Sequence, residues 1–239
     1  MTEEELRAQA HTLGLTLTDE MMQKLREYVR LLLSWNEKIN LTAIKTPAEI
    51  YEKHFLDSLL PLSQWEMRGS LLDVGSGAGF PGMVLALARP DLQVTVLEPT
   101  GKRCVFLAEI KKSLDLRQVT IVQARAEDYV KEKREQYDIV TARAVAALPM
   151  LAELCIPLVK IGGIFLAMKG LHGEAEVKEA RYAYHQLGCK EPVIKRAVLP
   201  NGGQRINLWA MKVHATKKMY PRAYGVIKKK PLEGTWQDS

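Results

Sequence analysis

Hydrophobic and polar positions change their period along this chain, and the change divides it. Thr18 stands before Asp19-Glu20, and apolar side chains then recur at Leu25, Tyr28, Val29, Leu32, Trp35 and Ile39. Intervals of three and four predict a helix with one buried stripe. Thr46-Pro47-Ala48-Glu49 reads as a capping box with proline at the first helical position, opening a helix through Ile50, Phe55 and Leu59 up to Pro61. Residues 1–65 are expected to form a small helical region.

From Leu71 the pattern becomes strand and helix in alternation. Predicted strands are Leu71–Val74, Gln93–Leu97, Val119–Gln123, Tyr137–Ala142 and Ile164–Met168, with helices over Pro81–Arg89, Lys102–Leu114 and around Leu148–Val159. Such alternation predicts a parallel sheet. A helix near Glu174–Leu187 stops at Gly188, and strands Glu191–Val198 and Arg205–Val213 flank the turn Pro200-Asn201-Gly202-Gly203. The expected fold is α/β: a doubly wound seven-stranded sheet closed by an antiparallel hairpin, with residues 66–213 as its main domain. Residues 214–239 read as a basic tail, mobile without a partner.

The stretch Leu71-Leu72-Asp73-Val74-Gly75-Ser76-Gly77-Ala78-Gly79-Phe80-Pro81-Gly82 carries a strand into a glycine-rich turn and a helix start. Glycines there allow positive φ and let a ligand approach the main chain. Two cofactors compete for the loop. Gly77-x-Gly79-x-x-Gly82 matches the dinucleotide fingerprint, in which helix N-terminal amides hold a pyrophosphate. Asp73-x-Gly75-x-Gly77-x-Gly79 instead resembles class I S-adenosylmethionine-dependent methyltransferases. An acid at the strand end suits a sulfonium and an amino group and would repel a pyrophosphate. The hairpin ending also speaks against a dinucleotide domain, which needs a second mononucleotide half.

Composition narrows the class further. A chain of 239 residues, 47% hydrophobic, can bury a sizeable core. No apolar run approaches the ~20 residues of a membrane span, and Met1-Thr-Glu-Glu-Glu is acidic where a signal peptide would be basic. A cytoplasmic location is expected. Cys104, Cys155 and Cys189 are far apart, with no C-x-x-C pair, so they read as small core residues rather than disulfides or zinc ligands. The net charge of +6 is unevenly placed: residues 1–70 hold 8 basic against 11 acidic side chains, while Met211–Lys230 holds seven Lys or Arg and no Asp or Glu. Clustered cations of this kind neutralise phosphates in nucleic-acid binding.

Ligands of doubly wound sheets sit beyond the C-terminal ends of the strands, so residues there are the candidates. Gly75 and Gly77 would line a cofactor with their backbone, and the Phe80 ring would either cover it or pack beneath the helix. Glu98, after the second strand, suits the two hydroxyls of an adenosine ribose. Ala126-Glu127-Asp128 follows the third strand and could hold an adenine edge, although helix capping explains Asp128 equally well. Thr141-Ala142-Arg143-Ala144 ends the fourth. It lacks the Asn/Asp-Pro-Pro-aromatic cluster of adenine-N6 enzymes, and no cysteine is placed for covalent attack on cytosine. His54 and Asp57, three apart on a predicted helix, either face this site or form a structural pair.

Trp35-Asn36-Glu37-Lys38-Ile39-Asn40-Leu41-Thr42-Ala43-Ile44, His54-Phe55-Leu56-Asp57-Ser58-Leu59 and the glycine loop together resemble the glucose-inhibited division protein B family, bacterial 16S rRNA guanine-N7 methyltransferases. Lys102-Arg103, Arg125-Ala126-Glu127, Thr141–Ala144, Lys169-Gly170, Tyr220-Pro221-Arg222 and Lys229-Lys230-Pro231-Leu232 extend the resemblance over nearly the whole chain. The resemblance implies S-adenosyl-L-methionine as donor, S-adenosyl-L-homocysteine as product and 16S rRNA or the small ribosomal subunit as partner; no membrane, metal or obligate protein partner is indicated by the sequence. It places Gly75, Phe80, Ala126, Glu127 and Arg143 at cofactor-contacting positions, with Gly77 and Glu98 beside them. Two departures, Glu98-Pro99-Thr100-Gly101 before Lys102-Arg103 and Phe80 where Leu is frequent, keep the relevant chemistry.

Guanine N7 carries an in-plane lone pair and no proton, so no general base is required and none is assigned. Lys102, Arg103, Lys169, Lys217, Lys218, Arg222, Lys228, Lys229 and Lys230 are the expected RNA contacts, with Tyr220 and Tyr224 interleaved for stacking. Two rivals remain at this stage: an NAD-dependent oxidoreductase, and an rRNA-binding assembly factor that keeps the fold without turnover.

Overall fold

Side chains alternate between two cores along the central strands, and this alternation sets the architecture. In a computed structural model describing residues 1–143 and 145–234, strands β1 (Ser70–Val74), β2 (Gln93–Leu97), β3 (Val119–Val122), β4 (Tyr137–Arg143), β5 (Val159–Lys169), β6 (Val193–Val198) and β7 (Gln204–Met211) form one sheet ordered β3-β2-β1-β4-β5-β7-β6. Leu71, Val94, Val96, Ile139, Leu166 and Trp209 face one core, while Leu72, Leu97, Val140, Phe165, Ala167 and Leu208 face the other. Both faces are apolar because both are covered by helices. β7 runs antiparallel to β5 and β6, as the hairpin pattern predicts.

Helices α1 (Glu3–Thr12) and α2 (Asp19–Ile39) lead into α3 (Pro47–Ile50), a π-helical turn at Tyr51–Leu56 and α4 (Asp57–Gln64). These cover the first face together with α5 (Gly82–Ala88) and α6 (Gly101–Ser113), and their side chains merge with the sheet in one hydrophobic cluster. The opposite face carries α7 (Ala126–Lys133), α8 (Leu148–Cys155), α9 (Gly173–Gln186) and α10 (Tyr224–Lys229). Thr18 and Thr46 cap their helices as the sequence indicates. The N-terminal helical region is thus a layer on the sheet and shares its core.

Besides the π-helical turn at Tyr51–Leu56, three departures from the sequence-based expectation stand out. The helix expected to stop at Pro61 continues to Gln64, held by burial of Leu59, Leu60 and Pro61. The helix expected to reach Val159 ends at Cys155; Pro157 cannot donate the next helical bond, and Ile156–Leu158 tightens into a 3-10 turn. Strand β5 therefore begins at Val159, with a register shift opposite β4 where Gly162 takes φ +83°.

The third departure is the basic tail, which is packed over residues 214–234. Tyr220, Ile227 and Leu232 are buried, and Arg222 donates Nε and Nη2 to Glu153, whose side chain is fully buried on α8. An unpaired buried carboxylate would be costly, so the charge on Glu153 holds the tail in place. Residues 235–239 lie outside the described residues.

The N-terminal helical layer is tied to the glycine loop by Tyr28 of α2, whose buried hydroxyl donates to the Ala78 carbonyl at 2.6 Å. Tyr28→Phe is expected to lower stability by about 1–2 kcal/mol, because the carbonyl loses its donor while remaining enclosed. Urea unfolding of both proteins measures this, and an unchanged midpoint would show that the hydroxyl does not hold the loop.

Candidate functional site

The sheet order reverses between β1 and β4, so the crevice beyond their C-terminal ends is where a ligand would sit. The glycine loop leaves β1 there. Gly75, Gly77 and Gly79 take φ of +70°, +60° and +93°, conformations that side chains rarely allow. A Cβ at Gly79 would meet the Tyr28 hydroxyl and Met83. At Gly77 the corresponding space is open, with only the Gly75 carbonyl 3.8 Å away.

Asp73 organises this loop from beneath. Its Oδ2 accepts from Ser76 Oγ at 2.6 Å and from the Gly82 amide at 2.9 Å. Burial pushes the carboxyl up to about 6, against the lowering effect of those two hydrogen bonds. This carboxylate, expected from its place near the strand end to face a cationic ligand, is instead fully enclosed and bound to the loop's own donors. Oδ1 has no hydrogen-bond partner among the described residues.

Glu98, at the end of β2, is 2% exposed. Its two oxygens accept from the Gly77 amide at 3.0 Å and the Thr100 amide at 2.9 Å. The carboxylate therefore reaches the loop across the crevice. Beneath it, the Cys104 thiol donates to the Glu98 carbonyl, so this cysteine is half-buried at the site's edge rather than in the core. Ala126 and the half-buried Glu127 open α7 beyond β3.

Phe80 resolves the choice left open by the sequence. Its ring, 4% exposed, stacks between His54 at 4.3 Å and Tyr28 at 5.3 Å. It belongs to the core, and only its backbone belongs to the loop. Arg143 at the end of β4 lies 5.2 Å over the same ring. Its Nη1 donates to Asp57 Oδ2 at 2.9 Å and to the Lys53 carbonyl, and Nη2 lies 3.1 Å from His54 Nδ1. His54 Nε2 is 3.0 Å from Thr42 Oγ1. Burial and the neighbouring guanidinium hold His54 down at about 3, so the ring is neutral, with Nδ1 accepting from Arg143 and Nε2–H donating to Thr42.

Asp57 also accepts from Arg205 of β7 at 2.9 Å. His54, Asp57, Arg143 and Arg205 line a cavity of about 440 Å³ that continues past Lys53, Lys169 and Gly170. His54 and Asp57 thus do face the site. The π-helical turn that brings them there was not foreseen, nor was Arg205, which is 148 residues from Asp57. Only its tertiary partner distinguishes this arginine from other strand cations.

The expected RNA contacts divide into three groups. Lys102, Lys217, Lys218, Lys228, Lys229 and Lys230 are exposed. Arg103 is half-buried, 3.8 Å from Glu98. Lys169 is taken up internally, paired with Glu176 at 2.8 Å and donating to the Ala146 carbonyl, and Arg222 is taken up by Glu153. Glu153 is fully buried and Glu176 partly so, and pairing outweighs solvation for both cations. Tyr220 is buried, whereas Tyr224 keeps an exposed face. Ala144 lies outside the described residues.

Known proteins resemble this chain over most of its length. Residues 21–219 match the family GidB, described as rRNA small subunit methyltransferase G. The chain is 43% identical to the ribosomal RNA small subunit methyltransferase G of Staphylococcus carnosus, over 91% of this chain and 93% of that one. It is 40% identical to the protein of the same name from Brevibacillus brevis, over 97% and 100%. Among solved structures, a 16S rRNA (adenine-N1)-methyltransferase from Catenulisporales acidiphilia shares the fold, with TM-score 0.52 and 14% identity over 64% of this chain and 87% of that one. A precorrin-6y methyltransferase from Geobacter metallireducens does so with TM-score 0.51 and 16% identity over 65% and 87%.

The two perturbed groups beneath the site make opposite contributions to stability. His54, depressed to about 3 from an unfolded value near 6.5, contributes stability that is present above pH ~6.5 and lost as pH falls toward 3. Asp73, raised to about 6, contributes stability below pH ~4 that is lost as pH rises through 6. Asp73→Asn removes the second contribution. Relative to the parent protein, the variant is expected to gain up to about 3 kcal/mol between pH 4 and pH 7. Denaturant unfolding at both pH values tests this, and a pH-independent difference would refute it.

Proposed function

This chain belongs to the GidB family of small-subunit rRNA methyltransferases, and we propose that it methylates N7 of a guanine in 16S rRNA with S-adenosyl-L-methionine as donor. The observation that carries the proposal is the match to the family and its curated relatives across nearly the whole chain. The strand-end residues agree with it. Open space at Gly77, positive-φ backbone around it and the Glu98 carboxylate across the crevice suit a nucleoside bearing a cationic methionine portion.

The donor, when bound, supplies a methyl group activated by its sulfonium. Gly75 and Gly77 line the methionine portion, Glu98 accepts the ribose hydroxyls, and Ala126 and Glu127 hold the adenine edge. The cavity beside Arg143 has the volume to receive a guanine. Arg143 has its guanidinium fixed by Asp57, His54 and the Lys53 carbonyl, and it positions a phosphate of the acceptor or the donor's carboxylate. N7 forms its bond to the methyl carbon as the carbon–sulfur bond breaks, and the positive charge passes to the purine. No proton leaves N7, so the chain's work is alignment, which can supply ~7–11 kcal/mol. His54, held neutral, serves by orienting Arg143. The substrate places this work in the cytoplasm; among the described residues no helix is long and apolar enough to cross a membrane.

Transfer of labelled methyl from S-adenosyl-L-methionine to small subunits lacking the modification, followed by mapping of the label, tests the proposal. Label on guanine N7 is expected. Donor binding without transfer to subunits or free rRNA would favour an assembly factor, and label on another atom would overturn the specificity. Glu98→Gln is expected to raise KM for the donor roughly 10–100-fold, the effect of losing charge-assisted hydrogen bonds. Steady-state kinetics would show this with kcat changed far less; an unaltered KM would remove Glu98 from the donor site.

A further inference from the structure

The packed C-terminal segment places one exposed aromatic beside Ala126 and Glu127, the proposed adenine edge of the site. Arg125, the residue before Ala126 and Glu127, sets its guanidinium 5.4 Å over the ring of Tyr224, the first residue of α10. Both partners remain accessible, at 58% exposure for the Arg125 side chain and 38% for Tyr224. Lys228, Lys229 and Lys230 follow, all exposed and with no carboxylate partner among the described residues.

The surface is held from below. Arg222 binds Glu153 with its Nε and Nη2 and also donates Nη2 to the Lys230 carbonyl at 3.0 Å, closing the segment at both ends of α10. Ile227 is fully buried between those ends. Arg222 therefore acts internally, and it holds the other cations outward in an ordered array. Fixed cations beside an exposed ring match the chemistry of single-stranded nucleic acid, whose phosphates seek charge and whose bases stack on tyrosine and guanidinium faces.

We propose that residues 222–232 form a preordered docking strap for a single-stranded part of the RNA substrate, seating a base at the Arg125–Tyr224 pair and phosphates along Lys228, Lys229 and Lys230. This rests on the rRNA methyltransferase reading and adds where the strand outside the acceptor cavity is held. The preordering matters because a mobile tail would lose conformational entropy on binding, and this one has been ordered in folding.

The test uses the full chain with Tyr224→Ala, Tyr224→Phe and the triple variant Lys228→Gln, Lys229→Gln, Lys230→Gln. Direct binding to a single-stranded 16S rRNA fragment is measured across a salt series, alongside methyl transfer to small subunits. Tyr224→Ala is expected to weaken fragment binding roughly tenfold, by loss of one stacked base, with Tyr224→Phe near the parent. The triple variant is expected to lower the salt slope by about 2, for three phosphates on a single strand. KM for subunits should rise in both while KM for the donor stays within about twofold, a split that general misfolding would not produce. Unchanged fragment affinity and salt slope in an active enzyme would overturn the strap alone. A parent protein that binds the fragment but transfers no methyl group would instead overturn the reading beneath it.

Discussion

A single buried carboxylate sets the geometry on which the rest of this structure depends. Asp73, the penultimate residue of β1, has no exposure to solvent and binds both the Ser76 hydroxyl and the first amide of α5. The intervening chain has to close a tight arc between those two donors. Three glycines at positive φ make the arc possible, and the Phe80 ring at its far end is driven into the core against Tyr28 and His54. Burying a charge this deeply is unfavourable, as the upward shift of its titration shows. Loop closure is what offsets that cost, and it explains why an acid at this position serves the loop first and any ligand only through its field.

From Phe80 the constraint passes to the second half of the site. The stack carries His54 to Arg143, and Asp57 receives Arg143 from β4 and Arg205 from β7 on its two oxygens. Nearby, the Asn201 amide donates to buried Glu52 and Trp65 stacks on Trp209 at 5.3 Å. The closing hairpin and the N-terminal helices therefore clasp each other over the sheet. Fold and site share these contacts, because the cation that lines the cavity is held by the same carboxylate that joins helix and strand. A general acid or base would need a titration near neutrality. His54 is instead held uncharged to well below neutral pH by burial and the Arg143 guanidinium, which suits a positioning role.

Much of this was legible beforehand. The alternation of short apolar runs with helical segments named every strand of the sheet to within a few residues at most boundaries, and Gly188 ends α9 with the positive φ expected of it. Glu98, Ala126, Glu127 and Arg143 do lie at or just beyond strand ends, because a parallel sheet sends every strand of its centre out at the same edge. The errors have local causes. Pro157 converts the end of α8 into a 3-10 turn, and a proline at position 61 is tolerated where packing outweighs one lost hydrogen bond. The tail read as mobile because its cations are conspicuous in sequence, whereas the buried carboxylate that anchors them lies 69 residues away.

What the sequence determined by itself is whatever depends on neighbours along the chain: helix caps, alternation of buried positions, the glycine turn and the charge imbalance between the two ends. Short-range sterics and burial periodicity decide these, and both are written within a few residues. The tertiary structure decided which polar groups are satisfied by one another. It enclosed Asp73 beneath the loop, placed Phe80 in the core, brought Arg205 to Asp57 and joined Lys169 and Arg222 to internal carboxylates. Pairing of this kind depends on distance and dielectric between elements far apart in the chain, and only folding sets those.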